Sequence, residues 1–310
     1  MNGAIRMQDF TFDQMFTLAD TYDETELYYF IGNRTVPSMY NNNKIVLDFV
    51  PTAEELDILE ENFLDYAYDL NLSYYSFVLP MNQPLAPDLF ASIGEVGYEI
   101  SLTKLMVLNP AEFKGTTKAI DTYGDRLVLK EVDESTQQDY FDFNQVFDKA
   151  IDDSSEFAQQ KLNYYPWFLA ENNTTALAVY IDDKLVAITD VIRLAHAYEI
   201  DNFQVLDDYQ RQGIGSLIQQ WVCDKALSAD KMVVLSADAD DTPYDMYLKQ
   251  GYQDMGMQIG LSRKIEEPII EDIQTYQADP VAYMLENAGP EAFDELDDYD
   301  DFDEVEELND

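Results

Sequence analysis

The stretch Gln210-Arg211-Gln212-Gly213-Ile214-Gly215 lies between a segment that reads as a strand and one that reads as a helix. Its residue types suit an anion seat. Glycine permits positive φ and close approach of the backbone to a ligand, and a helix starting here aims unpaired N–H groups and the positive end of its dipole at the guest. Apolar residues at Ile214, Leu217, Ile218, Trp221 and Val222 give that helix one buried face. A glycine pair at such a junction is by itself more often structural. On the strand that feeds the loop, Glu199 and Asp201 stand two residues apart and so project from one face unless a bulge intervenes. Paired carboxylates there could do acid–base work. The apolar phase of this strand slips once between Ile200 and Phe203, which is what either a β-bulge or a strand buried on both faces would write into a sequence.

The run Phe203 to Gly215, followed by Tyr247-Leu-Lys-Gln-Gly251-Tyr252, resembles the GNAT (Gcn5-related N-acetyltransferase) superfamily over residues 126–265. Gln210 to Gly215 is similar to that family's Gln/Arg-x-x-Gly-x-Gly/Ala loop, and Tyr247 to Tyr252 to its Tyr-x-x-x-Gly-Phe/Tyr element. The resemblance implies acetyl-CoA as co-substrate, with its pyrophosphate on the backbone of Gln210, Arg211, Gln212, Gly213, Ile214, Gly215 and Ser216 and a positive charge from Arg211. It implies a bulged strand whose free backbone groups near Val205 meet the pantetheine arm and the thioester carbonyl. It also implies a general base at Glu199, with Asp201 second, and a phenol at Tyr247 to protonate the leaving thiolate. The base is needed because an amine at neutral pH is mostly ammonium. One departure is Asp241, where many members carry an Asn that bonds CoA, and Tyr244 replaces a usual Ala.

Composition limits the alternatives. The chain has 18 basic and 62 acidic residues, a net charge of −44, so phosphate repulsion disfavours nucleic acid as a partner. A globally acidic surface would concentrate cationic molecules, although it is more often a solvated face. One Cys and one His make a structural zinc site improbable, and no metal is expected. Cys223 reads as a packed small residue and His196 as an ordinary surface or satisfied one. With no run of 18 apolar residues and no basic or apolar start, the expectation is a cytoplasmic protein with no membrane contact.

Along the chain, residues 1–34 read as irregular or partly helical. Ile45 to Phe49 reads as a strand, and Thr52-Ala-Glu-Glu55 as a capping box before the helical stripe Leu56, Leu59, Phe63, Ala67 and Leu70. Tyr74 to Leu79 (strand), Ala86 to Gly94 (helix) and Tyr98 to Leu108 (strand) complete a β-α-β-α-β unit. It lacks a glycine loop, so no cofactor is expected there, and its role would be to wall the cleft or make a dimer contact. Asn109 to Gly124 reads as a linker. Arg126 to Val132 is a strand, and Ser135-Thr-Gln-Gln138 a second capping box before Tyr140, Phe143, Val146 and Phe147. A further helix over Ser154 to Leu162 would complete an acceptor-side wall in which Tyr140, Asp152, Asp153 and Tyr164 are substrate-side candidates. Thr175 to Ile181 and Leu185 to Arg193 form a hairpin through the three residues Asp182 to Lys184. Lys231 to Ser236 is a strand, Asp241 or Thr242 starts a short helix that Gly251 ends, and Tyr252 to Arg263 is the last strand. Residues 266–310 carry 18 acidic and no basic residues; Ile269 to Leu285 offers a docking helix, and Glu291 to Asp310 reads as disordered.

The fold expected is α/β: a GNAT-type mixed, mostly antiparallel sheet flanked by helices over 126–265, preceded by a smaller α/β domain over 1–125 resembling a partial GNAT unit, and followed by the acidic extension 266–310. The activity that the resemblance implies is transfer of an acetyl group from acetyl-CoA to a primary amine, on a cationic small molecule or peptide, by a monomer or homodimer. Two readings from other classes stay open. One is a CoA-binding sensor that has no use for the base. The other is an acidic protein that binds a basic partner through charge and needs neither glycine.

Overall fold

The computed structural model describes residues 6–151, 155–239 and 243–287. Asp152, Asp153, Asp241, Thr242 and the segment 291–310 lie outside them. Five strands come from the first part of the chain: β1 (Thr21–Glu24), β2 (Tyr28–Gly32), β3 (Lys44–Leu47), β4 (Tyr74–Val78) and β5 (Glu99–Leu108). Six follow: β6 (Leu127–Glu131), β7 (Thr174–Ile181), β8 (Lys184–Arg193), β9 (Ala197–Val205), β10 (Met232–Asp238) and β11 (Gln253–Lys264). All join one sheet in the order β1-β2-β3-β4-β11-β5-β10-β9-β8-β7-β6. Only β3–β4 and β9–β10 are parallel, so the sheet is mixed and mostly antiparallel, as expected. The two parts of the chain are interleaved: β5 lies between β10 and β11, and β11 goes on to pair β4.

Period-2 alternation gives this sheet two unlike faces. One face is apolar and covered by helices. Against its first half pack α1 (Ala53–Leu70), α2 (Pro87–Val96) and α8 (Glu267–Ala278), with Phe63, Phe77 and Leu261 at the centre. Against its second half packs α6 (Ile214–Ser228), whose Ile218 and Val222 meet Met106, Val233 and Leu235. The five predicted stripe residues of α1 are all buried, and the helix opens on the predicted capping box. Each of the larger four, Leu56, Leu59, Phe63 and Leu70, contributes about 1.5–3 kcal/mol by leaving water. The other face carries Ser76, Ser101, Thr103, Ser236, Gly260 and Ser262 in its middle. Small side chains leave a hollow, roofed by the N-terminal segment around Phe12–Leu18 and by α5 (Ser155–Ala170).

Several local expectations need correction. Residues 1–34 contain the β1–β2 hairpin, whose pairing with β3 is non-local and leaves no alternation to read in so acidic and Tyr-rich a stretch. The supposed linker is packed: α3 (Lys118–Tyr123) lies against α6, with Ala119 in the core. The helix α4 (Gln137–Ile151) is not opened by Ser135 and Gln138. Asp133 folds the entry instead: its carboxylate accepts from the Ser135 N–H at 2.9 Å and its carbonyl from the Gln137 N–H at 2.8 Å. Val146, expected in the stripe of α4, is exposed. The β7–β8 connection has two residues, not three, with Asp182 and Asp183 at φ 50° and 64° and Lys184 already paired with Ile181. Such a left-handed pair matches the twist of the strands it joins. The second wall helix, α5, runs on to Ala170.

Candidate active site

The site begins with a defect in β9. Opposite β8, Asp190 pairs with Asp201 and Ile188 with Gln204, so Asn202 and Phe203 together face Thr189. This is a β-bulge, and of the two readings of the phase slip it is the one the fold adopts. Asn202 sits at φ 47°, in the left-handed region that Asn tolerates better than most residues. Its Nδ2 donates to Asn144 Oδ1 at 2.9 Å and to Asp190 Oδ2 at 3.1 Å, and Thr189 Oγ1 donates to the Asp201 carbonyl at 2.8 Å. The bulge is thereby fixed from the β8 side.

On the other side the strands part. Pairing of β9 with β10 stops at Ile200–Leu235, while β10 continues along β5 to Asp238. A cavity of about 200 Å³ fills the split. It is lined by Ile200, Leu235 and Tyr247 from the helix-covered face and by Asp201 and Ser236 from the other, so the opening passes through the sheet. Tyr247 comes from α7 (Pro243–Gln250), is buried, and packs edge-on against Tyr252 at 5.4 Å. Gly251 ends α7 at φ 107°. Because the Leu206 N–H bonds the Val186 carbonyl on the β8 side, Val205 turns its backbone groups the opposite way, and its carbonyl accepts from Gln210 Nε2 at 3.2 Å.

The loop that follows is arranged differently from its two-glycine pattern. Positive φ falls at Arg211 (59°) and Gly213 (87°); Gly215 is already helical. A Cβ on Gly213 would stand 2.8 Å from the Ala119 backbone nitrogen, so this glycine is required by the packing of α3. A Cβ on Gly215 would meet only the Phe203 ring, at 3.4 Å. The α6 start has no side-chain cap and no acidic residue in its first turn. Among the described residues no acceptor meets the N–H groups of Gln212, Gly213, Ile214, Gly215 or Ser216. Five open donors and a dipole end form a fitting seat for a pyrophosphate. Arg211 is exposed beside them, and Lys118 of α3 donates to the Arg211 carbonyl at 2.7 Å, bringing a second cation to the loop. Gln212 is held on both sides, by the Tyr123 hydroxyl and by the Asp208 carbonyl.

On the hollow face of the sheet a larger cavity, about 310 Å³, contains Glu199 and Asp201 at one end. Asp201 and Ser236 line both cavities, so the two spaces meet there. Glu199 is buried and its Oε2 accepts from the Phe16 N–H at 2.8 Å. Burial, and then the neighbouring Asp201 charge, push its carboxyl up to about 8, against the opposing pull of the Phe16 N–H and of Lys44. Of the other substrate-side candidates, Tyr164 lines this cavity, whereas Tyr140 is a core residue whose hydroxyl donates to Asp190 Oδ1 at 2.8 Å. His196 lines neither space, and Cys223 is fully buried with its thiol pushed up to about 12 by that burial. Phe16, Lys44, Lys118 and Ser236 carry no motif. Their positions depend on long-range pairing, and only the unusual Ser and Thr content of the central strands hints at a hollow.

Comparison with known proteins agrees with this geometry. Residues 131–260 match the model of the acetyltransferase (GNAT) domain, and residues 10–106 match a domain of unknown function, DUF5613. No curated protein matches the chain. Among solved structures, a functionally unknown conserved protein from Staphylococcus epidermidis ATCC 12228 is 24% identical, with a TM-score of 0.73 over 84% of this chain and 100% of that one. A GCN5-related N-acetyltransferase from Kribbella flavida is 15% identical, with a TM-score of 0.55 over 80% and 91%. At these identities the likeness is one of fold. The chain therefore carries a GNAT acetyltransferase domain behind an N-terminal DUF5613 domain, and both contribute strands to one sheet. No helix among the described residues is long and apolar enough to cross a membrane.

Proposed function

We propose that the protein is an N-acetyltransferase that uses acetyl-CoA and a primary amine, joined where its two cavities meet. The observation that carries this reading is the shared wall at Asp201 and Ser236, between a slot beside the phosphate-type loop and a polar cavity holding Glu199. The open N–H groups of Gln212 to Ser216 hold the pyrophosphate, with Arg211 and Lys118 balancing its charge. Acetyl-CoA supplies an activated acyl carbon when bound in the slot. Backbone groups at the bulge and near Val205 bind the arm and stabilise the charge that develops on the carbonyl oxygen. Glu199 takes a proton from the acceptor's ammonium, directly or through one water, with Asp201 adding attraction. An incoming cation draws the Glu199 carboxyl back toward ionisation, which restores the base on binding. The amine nitrogen bonds to the acyl carbon, the carbon–sulfur bond breaks, Tyr247 gives its proton to the departing sulfur, and the proton that the nitrogen sheds on becoming an amide returns through water to the Tyr247 phenolate. Cys223 has no part, and no covalent enzyme intermediate is required.

Calorimetric titration of acetyl-CoA into the wild type and Gly215→Glu tests the seat. Glu fits a first helical turn and its carboxylate competes for the open donors. Binding to the wild type and its loss in a variant of unchanged melting temperature support the reading; no binding to the wild type overturns it.

A further inference from the structure

The larger cavity has two unlike ends. At the β9 end stand two carboxylates, Glu199 and Asp201. At the β3 end stands Lys44, the one Lys or Arg on its wall among the described residues. Four strands, β10, β5, β11 and β4, separate β9 from β3, and their contribution to the floor is uncharged: Ser236, Thr103, Gln258 and Ser76 among others. Lys44 and Val46 point to this face because the alternate residues, Ile45 and Leu47, pack into the helix-covered core.

The Lys44 ammonium makes no hydrogen bond or ion pair with any described residue. This is the feature that needs a reason. Burial presses its pKa down, and the attraction of Glu199 across the cavity only partly opposes that. A lysine meant to neutralise Glu199 would be in contact with it, yet Oε2 of Glu199 is bonded to the Phe16 N–H and no salt bridge joins the two. A half-buried ammonium with no hydrogen-bond partner among the described residues, facing a polar cavity, is a ready seat for a group of negative charge.

We infer that the acceptor is a zwitterion of the amino-acid type, its amine at Glu199 and Asp201 and its carboxylate on Lys44, so that the DUF5613 domain supplies the specificity-determining residue. Which end takes the amine rests on the acetyltransferase reading; recognition of a carboxylate by Lys44 does not. The cavity then rejects polyamines, whose second cation would face Lys44, and it rejects simple alkylamines because they leave Lys44 unpaired. A zwitterion departs from the expectation of a cationic acceptor drawn from the acidity of the whole chain, because it follows from the two unlike ends of the cavity and not from the net charge.

The test uses ω-amino acids from β-alanine to 6-aminohexanoate, with matched alkylamines and diamines as probes. Binding is read by calorimetry on the full chain, and acetylation by thiol release. At least one ω-amino acid is expected to bind at least about tenfold more tightly than its alkylamine, the value of one charge-assisted contact. Lys44→Met should remove that difference, Lys44→Arg should restore most of it, and Lys44→Glu should favour the diamine; melting temperatures show that each variant is folded. Equal binding of the matched pairs by the wild type, or a difference that survives Lys44→Met, overturns the inference. Amino-acid binding that depends on Lys44 in a protein that does not bind acetyl-CoA would sustain it while overturning the acetyltransferase reading. Acetylation of diamines in preference to ω-amino acids would overturn the inference and leave that reading intact.

Discussion

Two strand-to-helix junctions in this sheet solve one problem in opposite ways. At the start of α1, Thr52 Oγ1 accepts from the Glu55 N–H at 3.2 Å and the Glu55 carboxylate accepts from the Thr52 N–H at 2.7 Å. The helix satisfies its own first donors and places Glu54 and Glu55 at its positive end. At the start of α6, Gly213 has no side chain to offer, no carboxylate follows, and the donors are left open. The N-terminal unit has the strand-helix-strand rhythm of the second, but its junction satisfies two of those donors itself and carries two carboxylates, which disfavour an anion. What separates scaffold from candidate site is therefore who satisfies the helix end, and a few residues decide it.

The sharpest way to break this comparison is at the carboxylate that only the second unit has. Glu199→Gln is expected to lower turnover about 10²–10⁴-fold, the usual value of a general base, while acetyl-CoA still binds. Since the base acts only when deprotonated, wild-type kcat/KM, which reports the free protein, should rise with pH through about 8, and the variant should lose that limb. Steady-state rates across pH check both points. Unaltered turnover would move the base to Asp201.

The bulge is the next feature that only the second unit has. Asn202→Ala removes the bonds to Asn144 and Asp190 and puts a Cβ-bearing residue without Asn's tolerance at positive φ. A loss of about 1–3 kcal/mol is expected, read as a lower urea midpoint. Asn202→Gly should recover only the backbone share. On the closed junction, Thr52→Ala should cost about 1 kcal/mol of stability, again by urea unfolding, and leave acetyl-CoA affinity unchanged. A change in affinity would show that the two ends are less independent than they look.

The smallest effect is a slope. The folded Glu199 carboxyl titrates at about 8, above its ordinary 4.5, because burial and Asp201 favour the neutral form. The native state then holds a proton that the unfolded chain has released, so this stabilisation is complete at low pH and is lost as pH rises toward 8. Melting temperature should fall from pH 5 to pH 8 in the wild type and fall less steeply in Glu199→Gln.

Much of the second unit was legible because its signals are local. The phase slip at Ile200 to Phe203 offered the bulge as one of two readings, the glycines at 213 and 215 marked the helix start, and in the first unit the Thr52 box marked α1. The rest depends on partners far along the chain. The β1–β2 hairpin follows no alternation of its own, α3 looked like a linker until it was packed on α6, and Ser135 lost the cap to Asp133, two residues earlier. Lys44 carried no signal at all: in the sequence it is one lysine before a strand, and only the β3-to-β9 floor puts it across a cavity from Glu199.

The interleaving of β5 has a consequence for how the chain is made. The strand leaves the ribosome early, but its neighbours, β10 and β11, are translated only after the whole of β6 to β9. Until then β4 lacks the neighbour that separates it from β5, and both edges of β5 are without a partner. A long, half-apolar strand in that condition invites pairing with other chains. The small uncharged residues of its hollow face, Ser101 and Thr103, and the charges of Glu99 and Lys104 reduce its stickiness while it waits. The residues that leave the hollow open in the finished sheet also make the waiting strand less apolar.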